Sequence, residues 1–132
     1  MNFLFKEEPE NYSYETFLKD KRTTWTGVRN PVAQKHLREV KKGDRIFYYH
    51  TGNEKAVVGI AKAAKNAYPD PSGAGHVVDI VPVKRLRRPV TLAEIKNDRR
   101  FAQLPLVRVP RLSVMPIDDD VWEAIVKMSG TT

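Results

Sequence analysis

The sequence contains no cysteine, and this absence removes several classes of function. Disulfide frameworks, thiolate zinc sites and cysteine nucleophiles all require a thiol. The three histidines, His36, His50 and His76, match no local metal-binding spacing, so we predict neither a metal site nor any other cofactor. A chain without cysteine is compatible with a reducing compartment.

Long apolar runs are also missing. The first residues carry Lys6, Glu7 and Glu8 where a signal peptide would have an apolar core, and no later run has the length of a membrane span. We therefore expect a soluble protein without a membrane partner, located in the cytoplasm, or in the nucleus if the source is a eukaryote. The sequence leaves the oligomeric state open.

What is present is a globular composition with an excess of positive charge. The 132 residues suit one domain, because a core of this size buries enough apolar surface to fold without a disulfide or a metal. We assign residues 1–130 to that domain and residues 131–132 to a carboxyl-terminal tail. Lys and Arg number 23 against 16 Asp and Glu, and the net charge of +7 suits a polyanionic partner.

Five segments have the β-branched and aromatic content that is typical of strands. They are residues 2–6, 45–50, 56–61, 76–83 and 107–114. The second and third are separated by a short turn that contains Gly52, which predicts an antiparallel hairpin. Residues 68–75 are rich in proline, glycine and aspartate and predict a loop.

Asn30 followed by Pro31 predicts the start of a helix, because asparagine caps the first turn and proline fits its first position. The apolar spacing then predicts a helix that ends at Gly43 and turns Gln34 toward solvent. The other residues predicted on that solvent face are Lys35, Arg38 and Glu39.

Three further short helices are predicted. Ser13 can cap a helix over residues 14–18, and Thr91 with Glu94 forms a capping box. Residues 118–120 are three aspartates at the start of a final helix, where capping explains them better than metal binding does. Strands joined by turns rather than by long crossovers favour an α+β fold, an antiparallel or mixed barrel with peripheral helices.

Residues 25–30, Trp-Thr-Gly-Val-Arg-Asn, are the most informative segment. A bulky indole, a permissive glycine and a basic side chain precede a capped helix, whose N-terminus offers N–H donors. An aromatic plane stacks on a nucleic-acid base for about 1–3 kcal/mol. The alternative is that Trp25 is a core residue and Asn30 only a cap.

Side chains alternate along a strand, so Tyr49 faces opposite to Tyr48 and His50. Only one of Tyr49 and His50 can therefore point into a pocket, and all three residues can instead be ordinary half-buried strand residues. Two basic clusters are candidates for phosphate contact, with a solvated basic face as the alternative. They are Lys84, Arg85, Arg87 and Arg88, and Arg99 with Arg100.

The sequence favours no enzyme. Ser113 lacks the G-x-S-x-G setting of a nucleophilic serine. A hydrolase or nuclease acting on nucleic acid would need a histidine–acid pair, and His50 with Asp70 is the pair to inspect.

Eight short motifs occur in a fixed order along the chain. They are FKEEP (5–9), YS (12–13), WTGVRN (25–30), KGD (42–44), YH (49–50), VGIA (58–61), YPD (68–70) and RLSV (111–114). Together they resemble the EVE domain family, and the resemblance covers almost the whole chain. It implies a PUA-like pseudo-β-barrel of five to six mostly antiparallel strands with short peripheral helices, related to the YTH domain.

The resemblance also implies a non-catalytic module that recognises a flipped, modified base, of the 5-methylcytosine type or another, in DNA or RNA. Carried over by position, the base-binding pocket comprises Trp25, Val28, Asn30, Tyr49, His50, Tyr68, Pro69 and Ser113. Phosphate or rim contacts are assigned to Lys6, Arg29 and Arg111, with Arg85, Arg87 and Arg88 from the basic cluster. In this hypothesis Trp25 stacks on the base, while Asn30 and Ser113 bind its edge.

The chain departs from the common EVE pattern after Asn30. Many members continue with Tyr-Gln-Ala-Arg-Asn, whereas this chain has Pro31, Val32, Ala33, Gln34 and Lys35. The change lies next to the predicted pocket, so it leaves the accepted base open. A small-molecule or protein-interaction module on the same fold is the alternative function, since fold does not fix function.

Overall fold

The computed structural model describes residues 1–131 and contains one curled, mixed sheet with helices around it. The strands are β1 (Asn2–Glu7), β2 (Thr23–Trp25), β3 (Arg45–His50), β4 (Ala56–Ala63), β5 (Tyr68–Pro69), β6 (His76–Thr91) and β7 (Val114–Ile117). Their order across the sheet is β2-β6-β4-β3-β1-β7, with β5 beside β6. The predicted α+β class is confirmed.

One strand pairing is parallel and the others are antiparallel. β3 and β4 form the predicted hairpin, and β1 lies parallel to β3 with Phe5 opposite Tyr48 and Lys6 opposite Tyr49. Parallel strands end at the same edge of a sheet, so the ends of β1 and β3 lie side by side. The two candidate sites described below lie at this edge.

The helices are α1 (Pro9–Tyr12), α2 (Tyr14–Asp20), α3 (Pro31–Arg38), α4 (Leu92–Lys96), α5 (Pro105–Arg108) and α6 (Asp119–Met128), with a 3₁₀ turn at Arg99–Phe101. Three predicted caps are confirmed. The Ser13 hydroxyl accepts from the Thr16 amide at 3.1 Å, the Asn30 side chain caps α3, and both halves of the Thr91–Glu94 capping box are present.

Both faces of the central strands are covered. On one face Tyr48 packs against Phe17 and Tyr14 of α2, with ring centroids 5.6 and 5.3 Å away. On the other face Phe47 stacks on Trp122 of α6 at 3.7 Å. Because neighbouring residues of a strand point to opposite faces, β3 belongs to two layers of core.

The predicted strand over residues 107–114 is wrong. Pro105 begins the one-turn helix α5, where proline fits the first position, and β7 begins only at Val114. The β-branched Val107 and Val109 suggested a strand, but Pro110 interrupts it because proline donates no ladder hydrogen bond.

Helix α3 also differs from its prediction at both its end and its solvent face. It ends at Arg38, and Gly43 instead adopts a left-handed conformation in the turn before β3. Gln34, which was predicted to face solvent, is only 8% exposed. Its side chain binds backbone groups of two other segments, which apolar periodicity does not register.

Three smaller predictions need adjustment. Residues 68–69 are strand rather than loop, and β6 continues to Thr91 rather than ending at residue 83. The aspartates at 118–120 do lie at the start of α6, but the Asp118 side chain makes no capping bond.

The predicted tail falls partly outside the described residues, which stop before Thr132. Thr131 itself is held against the domain, since its hydroxyl accepts from the Arg87 amide at 2.9 Å. Among residues 1–131, no helix combines the length and apolarity needed to cross a membrane.

Candidate nucleic-acid interface

Trp25 lies at the end of β2, opposite Val78 of β6, and is 6% exposed. Its indole packs between Phe5 and Tyr48, with ring centroids 5.3 and 5.4 Å away. Most of the ring is therefore part of the core, which was the alternative to a stacking role for Trp25 in the sequence analysis. Trp25 is also one of the residues that line a cavity.

This cavity, called here the Trp25 cavity, has a volume of about 200 Å³. Its walls come from the end of β1, from α1, and from β2 with the residue that follows it. The lining residues are Glu7, Asn11, Tyr12, Thr23, Thr24, Trp25 and Thr26. Apart from two aromatic side chains the lining is polar, a combination that suits a flat ring with hydrogen-bonding edges.

Glu7 is the acidic residue of the lining. One of its carboxylate oxygens accepts from the Glu8 amide at 2.9 Å, which fixes the side chain at the mouth of α1. The Tyr12 hydroxyl donates to Asp20 at 2.8 Å and is thereby engaged. Glu7 and the amide of Asn11 are therefore the side chains best placed to bind the edge of a ligand.

A buried carboxylate holds β2 against β6. Asp79 accepts hydrogen bonds from Thr24 at 2.9 Å, Tyr68 at 2.6 Å and Arg22 at 3.0 Å. Burial by itself raises the pKa of Asp79, but these three donors outweigh it and the net pKa lies below the ordinary value. Tyr68, predicted in the pocket, thus supports the cavity wall through Asp79.

The segment after Trp25 is held by α3. Gln34 donates from Nε2 to the Val28 carbonyl at 2.7 Å and to the His76 carbonyl at 3.1 Å, and its Oε1 accepts from the His76 amide at 2.9 Å. The Asn30 Oδ1 accepts from the amides of Val32 and Ala33 at 2.9 and 3.1 Å. The Asn30 oxygen is therefore engaged as a cap, and the predicted base-edge bond is left to its amide nitrogen.

Lys6 and Tyr49 face away from the Trp25 cavity. Phe5 and Tyr48 contact Trp25, so their neighbours Lys6 and Tyr49 point to the opposite face. There the Lys6 ammonium lies 5.6 Å from the Tyr49 ring centre and donates to the Pro110 carbonyl at 2.8 Å. The structure therefore divides the predicted pocket between two faces of the sheet.

Ser113 also lies beside Lys6, since its carbonyl accepts from the Lys6 amide at 2.9 Å. Pro69 is exposed and pairs with His76, while the Tyr68 ring lies 4.3 Å from the Lys65 ammonium. Neither Ser113 nor Pro69 lines the Trp25 cavity.

His50 lies on the Tyr48 face, and both of its ring nitrogens have partners. Nε2 accepts from the Tyr14 amide at 3.0 Å, which places the proton on Nδ1, 2.6 Å from Glu54. Asp70 instead accepts from the Ser72 amide at 3.0 Å. The His50–Asp70 pair that a hydrolase would need is not formed, and His50 has no open nitrogen to act as a base.

The predicted arginines differ in availability. Arg85 pairs with Glu15, and Arg88 binds Glu94 at 2.9 Å and the Met128 carbonyl at 2.7 Å. All five are exposed, but within residues 1–131 no ion pair holds Arg29, Arg87 or Arg111. These three are better placed to contact phosphate, because Arg85 and Arg88 would first have to leave existing partners.

Sequence reasoning missed most of the Trp25 cavity. Glu7 and Tyr12 lie within motifs that carried the family resemblance, but they were not assigned to the pocket. The signal that could have found the rest is local: three threonines, Thr23, Thr24 and Thr26, flank Trp25 at the end of a short strand. Within residues 1–131, no group of three or more His, Asp or Glu side chains is arranged to hold a metal ion.

Comparison with known proteins identifies the family. The model of the EVE domain matches residues 1–128. The NMR structure of Rpa0253 from Rhodopseudomonas palustris is 41% identical, with a TM-score of 0.92 over 98% of this chain and 92% of that chain. Human thymocyte nuclear protein 1 is 28% identical over 96% of this chain and 73% of its own length.

Two further structures bear on the fold and on ligands. The crystal structure of the human thymocyte nuclear protein in complex with DNA containing 5-methylcytosine is 27% identical, with a TM-score of 0.90 over 99% of this chain and 98% of that chain. An ASCH protein from Zymomonas mobilis has a TM-score of 0.60 at 14% identity over 96% of this chain and 94% of that chain, and shares the fold alone. The expected PUA-like fold is confirmed.

Proposed function

This chain belongs to the EVE domain family, and from that membership we propose that it is a non-catalytic DNA-binding module that reads a modified cytosine. The base is flipped out of the helix and enters the Trp25 cavity. Trp25 supplies an aromatic wall, and Glu7 binds the edge of the base.

The observation that carries the proposal is the similarity to the human protein bound to DNA containing 5-methylcytosine, which spans 99% of this chain. The geometry of the Trp25 cavity supports it. A volume of about 200 Å³ is smaller than the roughly 300–1,000 Å³ of small-molecule sites. Such a space suits a single base ring better than a whole metabolite.

Glu7 gives the cavity a preference for cytosine over thymine. 5-Methylcytosine and thymine share the methyl group, but cytosine presents an amino donor where thymine presents a carbonyl acceptor. A carboxylate accepts from the amino group and repels the carbonyl. The methyl group common to both bases can contact the apolar edge of Trp25.

The backbone of the DNA is bound by exposed positive charge. The net charge of +7 attracts phosphate, and Arg29 stands two residues beyond Gly27 on the segment that leaves the cavity. Contacts of this kind release counterions, so affinity should fall steeply as salt is raised. They position the DNA but carry no base identity.

The test is binding of short DNA duplexes that carry 5-methylcytosine, cytosine or thymine at one position opposite guanine, at two salt concentrations. We expect the wild type to prefer 5-methylcytosine over thymine by about tenfold, since a good base-edge contact discriminates by about 1–3 kcal/mol. The Glu7→Gln variant should lose that preference, because an amide can also donate to the thymine carbonyl.

Glu10→Gln is the matched control. Glu10 is an exposed acid on α1, and the substitution removes the same charge as Glu7→Gln but outside the cavity. RNA duplexes of the same sequences test whether RNA is bound in place of DNA. If RNA is preferred over DNA, or if Glu7→Gln and Glu10→Gln behave alike, the proposal as stated is overturned.

A further inference from the structure

A second cavity lies on the face of the sheet opposite to Trp25. Its volume is about 240 Å³, and it is called here the lysine cavity. It is lined by Lys6, Tyr49, Thr51, Gly52, Lys55, Leu92, Lys96, Leu106 and Pro110. The lining contains three lysines and no acidic residue, so the potential inside it is positive.

The ammonium groups of Lys55 and Lys96 are uncommitted. Neither makes an ion pair or a side-chain hydrogen bond within the part of the chain that the structure describes. Three cations brought together without a counter-charge repel one another. A bound anion would remove that repulsion.

Tyr49 contributes a hydroxyl that has no hydrogen-bond partner among residues 1–131. The residue is 3% exposed, and burial raises the pKa of its hydroxyl to about 12, so it remains a protonated donor. The hydroxyl makes no hydrogen bond among residues 1–131 and is not one of the side-chain atoms that are both sealed from solvent and unpaired, and Tyr49 lines the cavity. A ligand in the cavity can therefore accept a hydrogen bond from this hydroxyl.

Lys55 is held in an unusual backbone conformation at the rim. Its φ angle is +47°, in the left-handed region that non-glycine residues rarely adopt. The Lys55 carbonyl accepts from the Leu92 amide at 2.8 Å, which ties the β3–β4 turn to the start of α4. Strain of this kind clusters at ligand-binding positions.

Lys6 completes the set from the floor of the cavity. It uses one N–H for the Pro110 carbonyl and has further N–H donors. Burial lowers the pKa of Lys6, and a bound anion would raise that pKa again. Leu92, Leu106 and Pro110 provide an apolar wall beside these donors.

We propose that the lysine cavity is a binding site for a phosphate group, held by Lys6, Lys55 and Lys96 with a hydrogen bond from the Tyr49 hydroxyl. The phosphate belongs either to a free nucleotide or to a nucleic-acid strand. A neighbouring hollow of about 420 Å³ shares Lys55, Leu92 and Lys96 and gives room for the rest of the ligand. The site is independent of the proposed base reading, because it lies on the other face of the sheet.

The test is calorimetric titration of the full chain at low salt with three probes. Inorganic phosphate and deoxycytidine 5′-monophosphate represent the free source, and a short unmodified DNA strand without terminal phosphates represents the strand. We expect at least one probe to bind, and the Lys55→Gln/Lys96→Gln variant to weaken it at least tenfold. Tyr49→Phe should weaken it several-fold while leaving the unfolding midpoint unchanged.

The matched control is Lys35→Gln/Lys127→Gln, which removes the same two charges from exposed positions on α3 and α6. Binding of a monophosphate alone identifies a free nucleotide, and binding of the strand identifies nucleic acid; both support the site. Failure of all three probes overturns it, as does equal weakening in the two double variants, which would mean nonspecific attraction.

Variants of the lysine cavity and of the Trp25 cavity should have different effects on binding. If the phosphate belongs to a strand, loss of the phosphate site should lower affinity for methylated and unmethylated DNA by the same factor; if it belongs to a free nucleotide, affinity for DNA should not change. Glu7→Gln should instead change the preference between bases and leave binding of the monophosphate intact.

Discussion

The indole of Trp25 meets the Tyr48 ring edge to face, with centroids 5.4 Å apart and planes at 87°. The same indole contacts Phe5 and lines the Trp25 cavity. Trp25 is therefore at once a core residue and a wall of the proposed base site. A substitution of Trp25 therefore changes core packing and base binding together. Glu7 lines the same cavity without belonging to the core, so Glu7→Gln tests base binding alone.

We predict that Trp25→Ala lowers the free energy of unfolding by about 3–5 kcal/mol, because it empties a buried aromatic position. Trp25→Phe should cost less, since it keeps the ring contact with Tyr48. Urea denaturation measures both. Val32→Ala is the control, because Val32 is 53% exposed and its change should be near zero. A Trp25→Ala variant as stable as the control would show that the indole is not part of the core.

Gln34 gives the second prediction. Its side chain makes three hydrogen bonds to the backbone of Val28 and His76, so Gln34→Ala leaves buried backbone groups unpaired. We expect a loss of about 2–3 kcal/mol in stability, from the cost of unpaired buried polar groups. Gln103→Ala, at an exposed glutamine, should change stability by less than about 0.5 kcal/mol.

Gln34→Ala should also loosen the segment that follows Trp25. Hydrogen exchange of the His76 amide, which donates to the Gln34 side chain, would report this, and we expect it to accelerate in the variant. Unchanged exchange together with full stability would mean that Gln34 does not hold the segment. Gln34 is one of the residues that replace the common family pattern, so this variant also tests what that replacement contributes.

The sequence predicted the fold well where local chemistry decides the structure. Asn30 with Pro31 and Thr91 with Glu94 fix helix starts within a few residues, so both were found. The strand predicted over residues 107–114 was wrong because the β propensity of its valines competes with the effect of Pro105 and Pro110. Only the tertiary structure decides between them. The prediction that Gln34 faces solvent was wrong for a related reason, since the hydrogen-bond partners of its side chain lie on other segments.

The candidate site was predictable in part. Trp25 was singled out because an indole before a capped helix stands out, and it does line a cavity, although its contact with a base stays a prediction. Strand alternation correctly required that Tyr49 and His50 face apart. Motif order does not say which face each motif residue occupies, so Lys6 and Tyr49 were grouped with Trp25. Glu7 follows Lys6 directly, and because neighbouring residues of a strand point to opposite faces it lies in the other cavity.

Asp79 gives a prediction about acid stability. Its pKa is lowered on folding by the donors Tyr68, Arg22 and Thr24, which overcome the opposing effect of burial. A lowered pKa means that its stabilisation is present above the unfolded value of about 4 and is lost as the pH falls through the folded value. We expect the unfolding free energy to decline below about pH 4.

Asp79→Asn should remove that part of the acid decline and cost about 2 kcal/mol at neutral pH, since hydrogen bonds to a charged group are lost. Urea denaturation between pH 2 and 7 measures both effects. Asp118→Asn is the control, because Asp118 is exposed and makes no capping bond. An unchanged acid decline in Asp79→Asn would show that other groups cause it. Glu94 contributes in the same direction, since its hydrogen bond with Arg88 lowers the pKa of Glu94 to about 2.

Asn30 separates capping from base recognition. Its Oδ1 is engaged by the amides of Val32 and Ala33, and the residue does not line the Trp25 cavity. We therefore predict that Asn30→Ala lowers stability by about 1 kcal/mol, whereas Asn30→Asp, which keeps a capping oxygen, does not. Both variants should retain the preference for 5-methylcytosine over thymine once they are measured under folded conditions. A preference that disappears in Asn30→Asp, while stability is preserved, would restore the base-edge role that the family resemblance implied. That result would also move the entrance of the base site from α1 toward the start of α3.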